Sequence, residues 1–193
     1  MNKLVAADLY TLEAYARERV AFRTRVLAHK QSRVVRLGHH MTFVFEDRLT
    51  IQYQVQEILR VERIFEPAGI AEELEAYNPL IPDGSNLKAT MLVEYPDADE
   101  RATKLVELHG VERRILLQVG QTAPIVAMAD EDLPRSTETK TSAVHFLRFE
   151  FARPQLSAWR DGADVVMSVD HPAYGAREVL TSAARAALGA DFA

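Results

Sequence analysis

Between Asp8 and Lys30 the positions Leu9, Leu12, Tyr15, Ala16, Val20, Phe22, Val26 and Leu27 share one broad arc at about 100° per residue. That arc predicts a long core-facing helix, with Asp8 as its N-cap. Arg19 and Arg23 fall inside it, so either their stems snorkel to the rim or their guanidinium groups are buried against carboxylates. Two short runs follow, "RVVRL" and "MTFVF", separated by Gly38, His39 and His40, the pattern of a hairpin with a three-residue connection. "DRLTIQYQVQEILRVERIF", residues 47–65, begins with strand-like alternation, but its length and its Glu, Leu and Arg content favour a helix. Its core face is then Ile51, Val55, Ile58, Leu59, Val61 and Phe65, while Gln52, Gln56, Arg60 and Arg63 form a row of donors on another face.

Pro67 opens a further helix that stops near Pro79. A strand "LKATMLVEY", a helix "DERATKLVEL" and strands near "RRILLQV", "APIVAMA", "AVHFLRFEF" and "DVVMSV" come next. A last helix is expected from Tyr174 to Leu188, ended by Gly189. The polar stretch "DEDLPRSTETKTS", residues 130–142, reads as a mobile loop. Consecutive strands flanked by helices predict an α+β fold, with a mainly antiparallel sheet covered on one face. The expected elements are a long N-terminal helix, a helical pair after the β-hairpin, and a C-terminal helix. We expect residues 1–193 to form one domain, with the helix, hairpin and helical pair in 1–85 and the strand-rich part in 86–193.

Composition narrows the chemistry. The chain has no cysteine, which excludes disulfides, thiolate zinc sites, cysteine-ligated iron–sulfur clusters and thiol catalysis. No run approaches the roughly 20 apolar residues of a membrane span, and "MNKLVAADLY" lacks a signal-peptide pattern, so a bacterial-type cytoplasmic location is the expectation. The net charge of -5 is uneven: residues 1–63 hold 11 Lys plus Arg against 7 Asp plus Glu, and the other 130 residues carry -9. Arg17, Arg19, Arg23, Arg25, Lys30, Arg33 and Arg36 make up most of the basic share. No aromatic platform or nucleic-acid-binding motif accompanies them, and a solvated face is the expected reading, so nucleic acid is not an expected partner.

Phosphate loops, nucleophile elbows and dinucleotide fingerprints are absent from the sequence. The adjacent histidines of "RLGHHMTFVFEDR" invite a metal or catalytic reading. In an extended segment, however, they point to opposite faces, and His40 lies six positions from Glu46, roughly 20 Å at strand rise. They cannot close a metal site by themselves. The remaining histidines, His29, His109, His145 and His171, lack the spacing of a helical metal motif.

Gly38, His40, Thr42, Phe45, Glu46, Arg48 and Thr50, then Gln54, Gln56, Glu57, Arg60 and Glu62, together with "ELEAYNPLIP" and "LKATMLVEY", resemble the shared core of domain-of-unknown-function family 3501, a bacterial family. The resemblance is dense over residues 8–95 and thinner beyond, where "AVHFLRFEF" and the final helix are similar. It carries no assigned activity and names no cofactor. It does imply oxidative-stress or iron-dependent redox partners, because members of the family are encoded beside rubrerythrin-like di-iron proteins and iron–sulfur oxidoreductases. That link is one of association.

These observations give a leading expectation of an accessory or binding protein with a polar constellation of His40, Glu46, Arg48, Gln56, Glu57 and Arg60. Those residues would either hold a ligand or fasten the hairpin to the helices through buried hydrogen bonds and ion pairs. The alternative is a non-haem metal-dependent or acid/base enzyme using His40 with Glu46 or Glu57. The apolar arc of the first helix is wider than one core contact requires. Tyr15, Phe22 and Val26 are therefore expected to pack on the second helix or on a symmetry mate in a homodimer.

Overall fold

Thr11 opens the first helix, α1 (Leu12–Gln31), where its side chain accepts a hydrogen bond from the Ala14 N–H at 3.2 Å. Asp8 instead closes a 3-10 turn over Ala6–Asp8, its carboxylate taking the Val5 N–H at 2.8 Å, so the helix starts three residues later than Asp8 capping predicted. The computed structural model describes residues 2–131 and 134–192. Only Tyr15, Phe22 and Val26 are buried on α1, while Val20 and Leu27 face outward, because α1 packs mainly on one neighbour, α2 (Arg48–Glu62). Phe22 meets Tyr53 of α2 with ring centroids 5.9 Å apart, so the aromatic edge of α1 is covered within the chain.

Between these helices lie β1 (Val34–Leu37) and β2 (Met41–Glu46), antiparallel with Leu37 opposite Met41 and Gly38 at φ 65° in the connection. Asp47 caps α2 through the Thr50 N–H at 2.9 Å. Arg63, left-handed at φ 56°, ends it, so Phe65 leaves the helix and its expected core position and is 66% exposed. Val61 is likewise exposed, whereas Ile51, Val55 and Leu59 are buried as their spacing predicts.

After α3 (Pro67–Tyr77) come β3 (Asn86–Val93), α4 (Ala98–Glu107), β4 (Ile115–Val119), β5 (Ile125–Val126), β6 (Met128–Ala129) and β7 (Val144–Glu150). The chain continues through α5 (Arg153–Arg160), β8 (Val165–His171), β9 (Tyr174–Val179) and α6 (Ser182–Gly189). The expected helix from Tyr174 is thus corrected: its first part is an edge strand antiparallel to β8, and the helix begins only after Thr181, whose side chain accepts the Ala184 N–H at 3.1 Å.

The strands form two antiparallel sheets rather than one, ordered β1-β2-β3-β7-β6 and β5-β4-β8-β9. The chain changes sheet within "APIVAMA": Ile125 and Val126 pair with β4, Met128 and Ala129 with β7, and the intervening Ala127 N–H donates to Ile115 at 2.9 Å. Period-2 patterning builds the core between the sheets, from Met41, Phe43, Phe45, Leu87, Met91, Leu147 and Phe149 on one side and Ile115, Leu117, Val165, Met167 and Val169 on the other. The opposite face of the first sheet carries Glu46, Lys88, Thr90, Phe146 and Arg148, next to α2, α3 and the turn Asn78–Leu80. Residues 132 and 133 of the expected loop lie outside the described residues. Its described part is anchored by side-chain hydrogen bonds at Asp130, Ser136 and Thr141.

Candidate functional site

The six polar residues singled out from the sequence do not converge on one cleft; all but Glu57 and Arg60 stand apart from one another. At the start of β2, the Nδ1–H of His40 donates to the Glu94 carbonyl at 2.9 Å, and its ring stacks on Tyr95 with centroids 4.0 Å apart. At the other end of that strand Glu46, 3% exposed, accepts from the hydroxyls of Thr50 at 2.6 Å and Thr90 at 2.8 Å. Arg48 pairs with Asp8 at 2.7 Å. Gln56 is buried and brackets Tyr10, accepting its N–H at 2.6 Å and donating to its carbonyl at 3.4 Å, while Gln52 reaches the Asp8 carbonyl at 2.6 Å. Two members of the donor row on α2 therefore meet the backbone that leads into α1.

Of the six, only Glu57 and Arg60 are brought together, 3.3 Å apart. Glu57 also accepts a bidentate pair from Arg19 at 2.8 Å and the Tyr15 hydroxyl at 2.7 Å. Arg19 is thus paired with a carboxylate while a third of its side chain stays in solvent, which joins the two alternatives that its place in the apolar arc left open. Its hydrogen bonds hold the Glu57 carboxyl down to about 2, and burial pushes the Tyr15 phenol up.

Two buried clusters carry no local sequence signal of their partners. Arg33, 1% exposed, donates to the carbonyls of Phe45 at 3.0 Å, Ala187 at 3.0 Å and Glu46 at 3.2 Å, and to the carboxylate of Asp191. Asp47 lies 3.6 Å from the same guanidinium and 2.5 Å from His29 Nε2. Burial pushes the Asp191 carboxyl up against the pull of Arg33.

The second cluster outwardly resembles an acid–histidine–hydroxyl relay. His145 is fully buried, with Nδ1 2.5 Å from Asp130 and Nε2 2.8 Å from the Thr141 hydroxyl. Nε2 also lies 3.1 Å from the Ser142 carbonyl, and Asp130 holds the other side of the ring. The Thr141 hydroxyl then donates to Glu112 at 2.9 Å, away from the ring, and is itself 1% exposed. A hydroxyl with its proton turned from the base and no access to solvent is a fastening, not a nucleophile in this state. The alternation of "VHFLRFE" places His145 with Leu147 and Phe149 on the core face, and that signal was available in the sequence.

An open polar–apolar site lies instead where the end of α3 and the turn Asn78–Leu80 overhang the outer face of the first sheet. A cavity of about 230 Å³ is lined there by Tyr77, Pro79, Leu80, Phe146 and Leu147, with Lys88, Arg148, Arg135 and Glu131 among them. Its cations differ in how they are held. Arg148 is taken by Glu131 at 2.7 Å and Glu150 at 2.5 Å, and Arg135 lies 3.4 Å from Asp130 with its guanidinium 4.4 Å above the Phe146 ring. Lys88 makes no hydrogen bond or ion pair among the described residues. It is half-buried between its register partners Glu46 and Arg148, and Glu46 is already engaged by two threonines. Burial, and then the Arg148 charge, push the Lys88 ammonium below its ordinary range. Among the described residues no group of three His, Asp or Glu side chains could hold a metal ion, and no helix is long and apolar enough to cross a membrane.

Known proteins place this arrangement in a family. The chain is similar over its whole length to a novel protein of unknown function from Burkholderia pseudomallei K96243, whose crystal structure matches with a TM-score of 0.95 at 45% identity, covering 100% of both chains. A search of curated proteins finds no match. The family model described as protein of unknown function DUF3501 matches residues 3–192, so the likeness continues through the strand-rich part as well as the first 95 residues, and the chain belongs to the DUF3501 family.

Proposed function

We propose that this protein is a binding protein for a small organic anion, held in the cavity between the end of α3 and the first sheet. The observation that carries the reading is Lys88: a half-buried ammonium without an ion-pair partner among the described residues, in a cavity with an aromatic and aliphatic wall. An unpaired charge in such a place is unfavourable until an anion supplies the missing partner. The cavity's 230 Å³ equals about eight water molecules at roughly 30 Å³ each, which suits a ligand of benzoate size and falls below the usual range for drug-sized molecules.

His40, Glu46, Arg48, Gln56, Glu57 and Arg60 belong, in this proposal, to the frame. Their hydrogen bonds to Glu94, Thr90, Asp8, Tyr10 and Arg19 support a role in fastening the hairpin and α2 to neighbouring elements. Calorimetric titration with benzoate tests the binding role. Saturable binding that Lys88→Met abolishes, with the melting temperature retained, is the expected result. Equal binding by Lys88→Met, or no binding of benzoate by the parent chain, would reject it.

A further inference from the structure

We propose that Lys88 forms a covalent imine with a small aldehyde or ketone that enters the same cavity. The proposal rests on the reading of that cavity as a ligand site, and its chemistry follows from what surrounds the nitrogen.

A lysine becomes a nucleophile when it is desolvated or set beside another cation, since both favour the neutral amine. Lys88 meets both conditions. Its stem leaves β3 on the outer sheet face, its register neighbour Arg148 presents a guanidinium, and Tyr77, Leu80 and Phe146 line the same cavity. The charges facing it are mixed. Arg148 and Lys3 oppose its proton and Glu131 and Asp83 favour it, but Glu131 is spent on Arg148 and Lys3 donates to the carbonyls of Asn78 and Ile81. Burial and the Arg148 charge prevail over the acids.

The reaction balances without an oxidant or a reductant. The ammonium releases a proton to solvent, and the amine lone pair attacks the carbonyl carbon. A C–N bond forms as the C=O π pair moves to oxygen, which takes up a proton. Loss of a second proton from nitrogen and departure of the hydroxyl group as water then give the C=N bond. The apolar wall favours carbonyl compounds with a compact aromatic or aliphatic body, which its volume can hold.

Benzaldehyde with cyanoborohydride, which reduces an imine to a stable amine, tests this on the full chain at neutral pH, with peptide mass mapping of each lysine. Lys88 is expected to be labelled on the order of ten times faster than the exposed Lys140, because burial and the neighbouring Arg148 favour its neutral amine. Labelling of Lys88 no faster than Lys140 overturns the proposal. Excess benzoate keeps the two readings apart. Fast Lys88 labelling that benzoate does not slow would retain the imine and remove the anion site. Slow labelling, with benzoate still binding in a Lys88-dependent way, would do the reverse.

Discussion

The Tyr174 hydroxyl occupies the space in which Gly38 would carry a side chain: a β-carbon at position 38 would lie 2.5 Å from that oxygen. The same hydroxyl donates to the Leu37 carbonyl at 2.6 Å and accepts the His40 N–H at 3.2 Å, which joins the β1–β2 turn of one sheet to β9 of the other. Gly38→Ala must therefore both strain a φ of 65° and expel the phenol. We expect a loss of about 2–3 kcal/mol, against about 1 kcal/mol for Tyr174→Phe, which removes the hydrogen bonds and keeps the ring. Urea unfolding of the two variants measures both, and equal effects would show that the clash is relieved by local movement.

Glu57 supplies a pH dependence with a definite sign. Its carboxyl titrates at about 2 in the folded chain against an ordinary 4.5, so the unfolded chain binds the proton first as pH falls. The contribution is complete above about pH 4.5 and is lost between there and pH 2. With a fifth of the Glu57 side chain in solvent, we expect about 1–2 kcal/mol. Glu57→Gln should be less stable than the parent at pH 7, and the two should converge near pH 2. A constant gap across that range would contradict the assignment.

Lys88 acts in the opposite sense. Because burial lowers its proton affinity in the folded chain, folding gains stability as pH rises through the interval below the ordinary 10.5. Lys88→Met is expected to melt at or above the parent temperature at pH 7, with the difference narrowing in alkali. A variant that melts well below the parent would mean that the ammonium has a stabilising partner after all.

Arg33 and Asp191 are held at 1% and 3% side-chain exposure, and removing one leaves the other charged in the core. Arg33→Met is expected to cost about 3–5 kcal/mol, and Asp191→Asn less, because the amide can still accept from the guanidinium. Combined, the two changes should fall short of their sum, since they break one shared contact. Additive losses in denaturant unfolding would show that the pair is not coupled.

Much of this architecture was legible in short-range periodicity. The hairpin, α2 with its buried Ile51, Val55 and Leu59, and the alternation of Leu87, Ala89, Met91 and Val93 all follow from the spacing of apolar residues. What escaped depends on distant partners. "YGAREV" has helix-forming composition and little alternation, and it becomes β9 because β8 offers an edge to pair with. The change of sheet at Ala127 has no sequence mark, so one sheet was expected where two form. Arg33 looked like one more surface charge, because its carboxylate lies 158 positions away. Lys88 was readable as a lysine within a strand pattern, but not as one without an ion-pair partner among the described residues.

The sheet change at Ala127 bears on how the chain can be divided. The first sheet draws β1, β2 and β3 from one stretch of sequence and β6 and β7 from another, and between Val93 and Met128 the chain builds part of the second sheet. The inner faces of the two layers pack into one shared core, so each buries its apolar residues against the other. Fragments cut near residue 85 would leave β2 without β3, exposing a hydrogen-bonding edge over an uncovered apolar face. Such pieces should aggregate when made alone and regain a soluble fold only when produced together, behaving as one cooperative unit of folding rather than two modules.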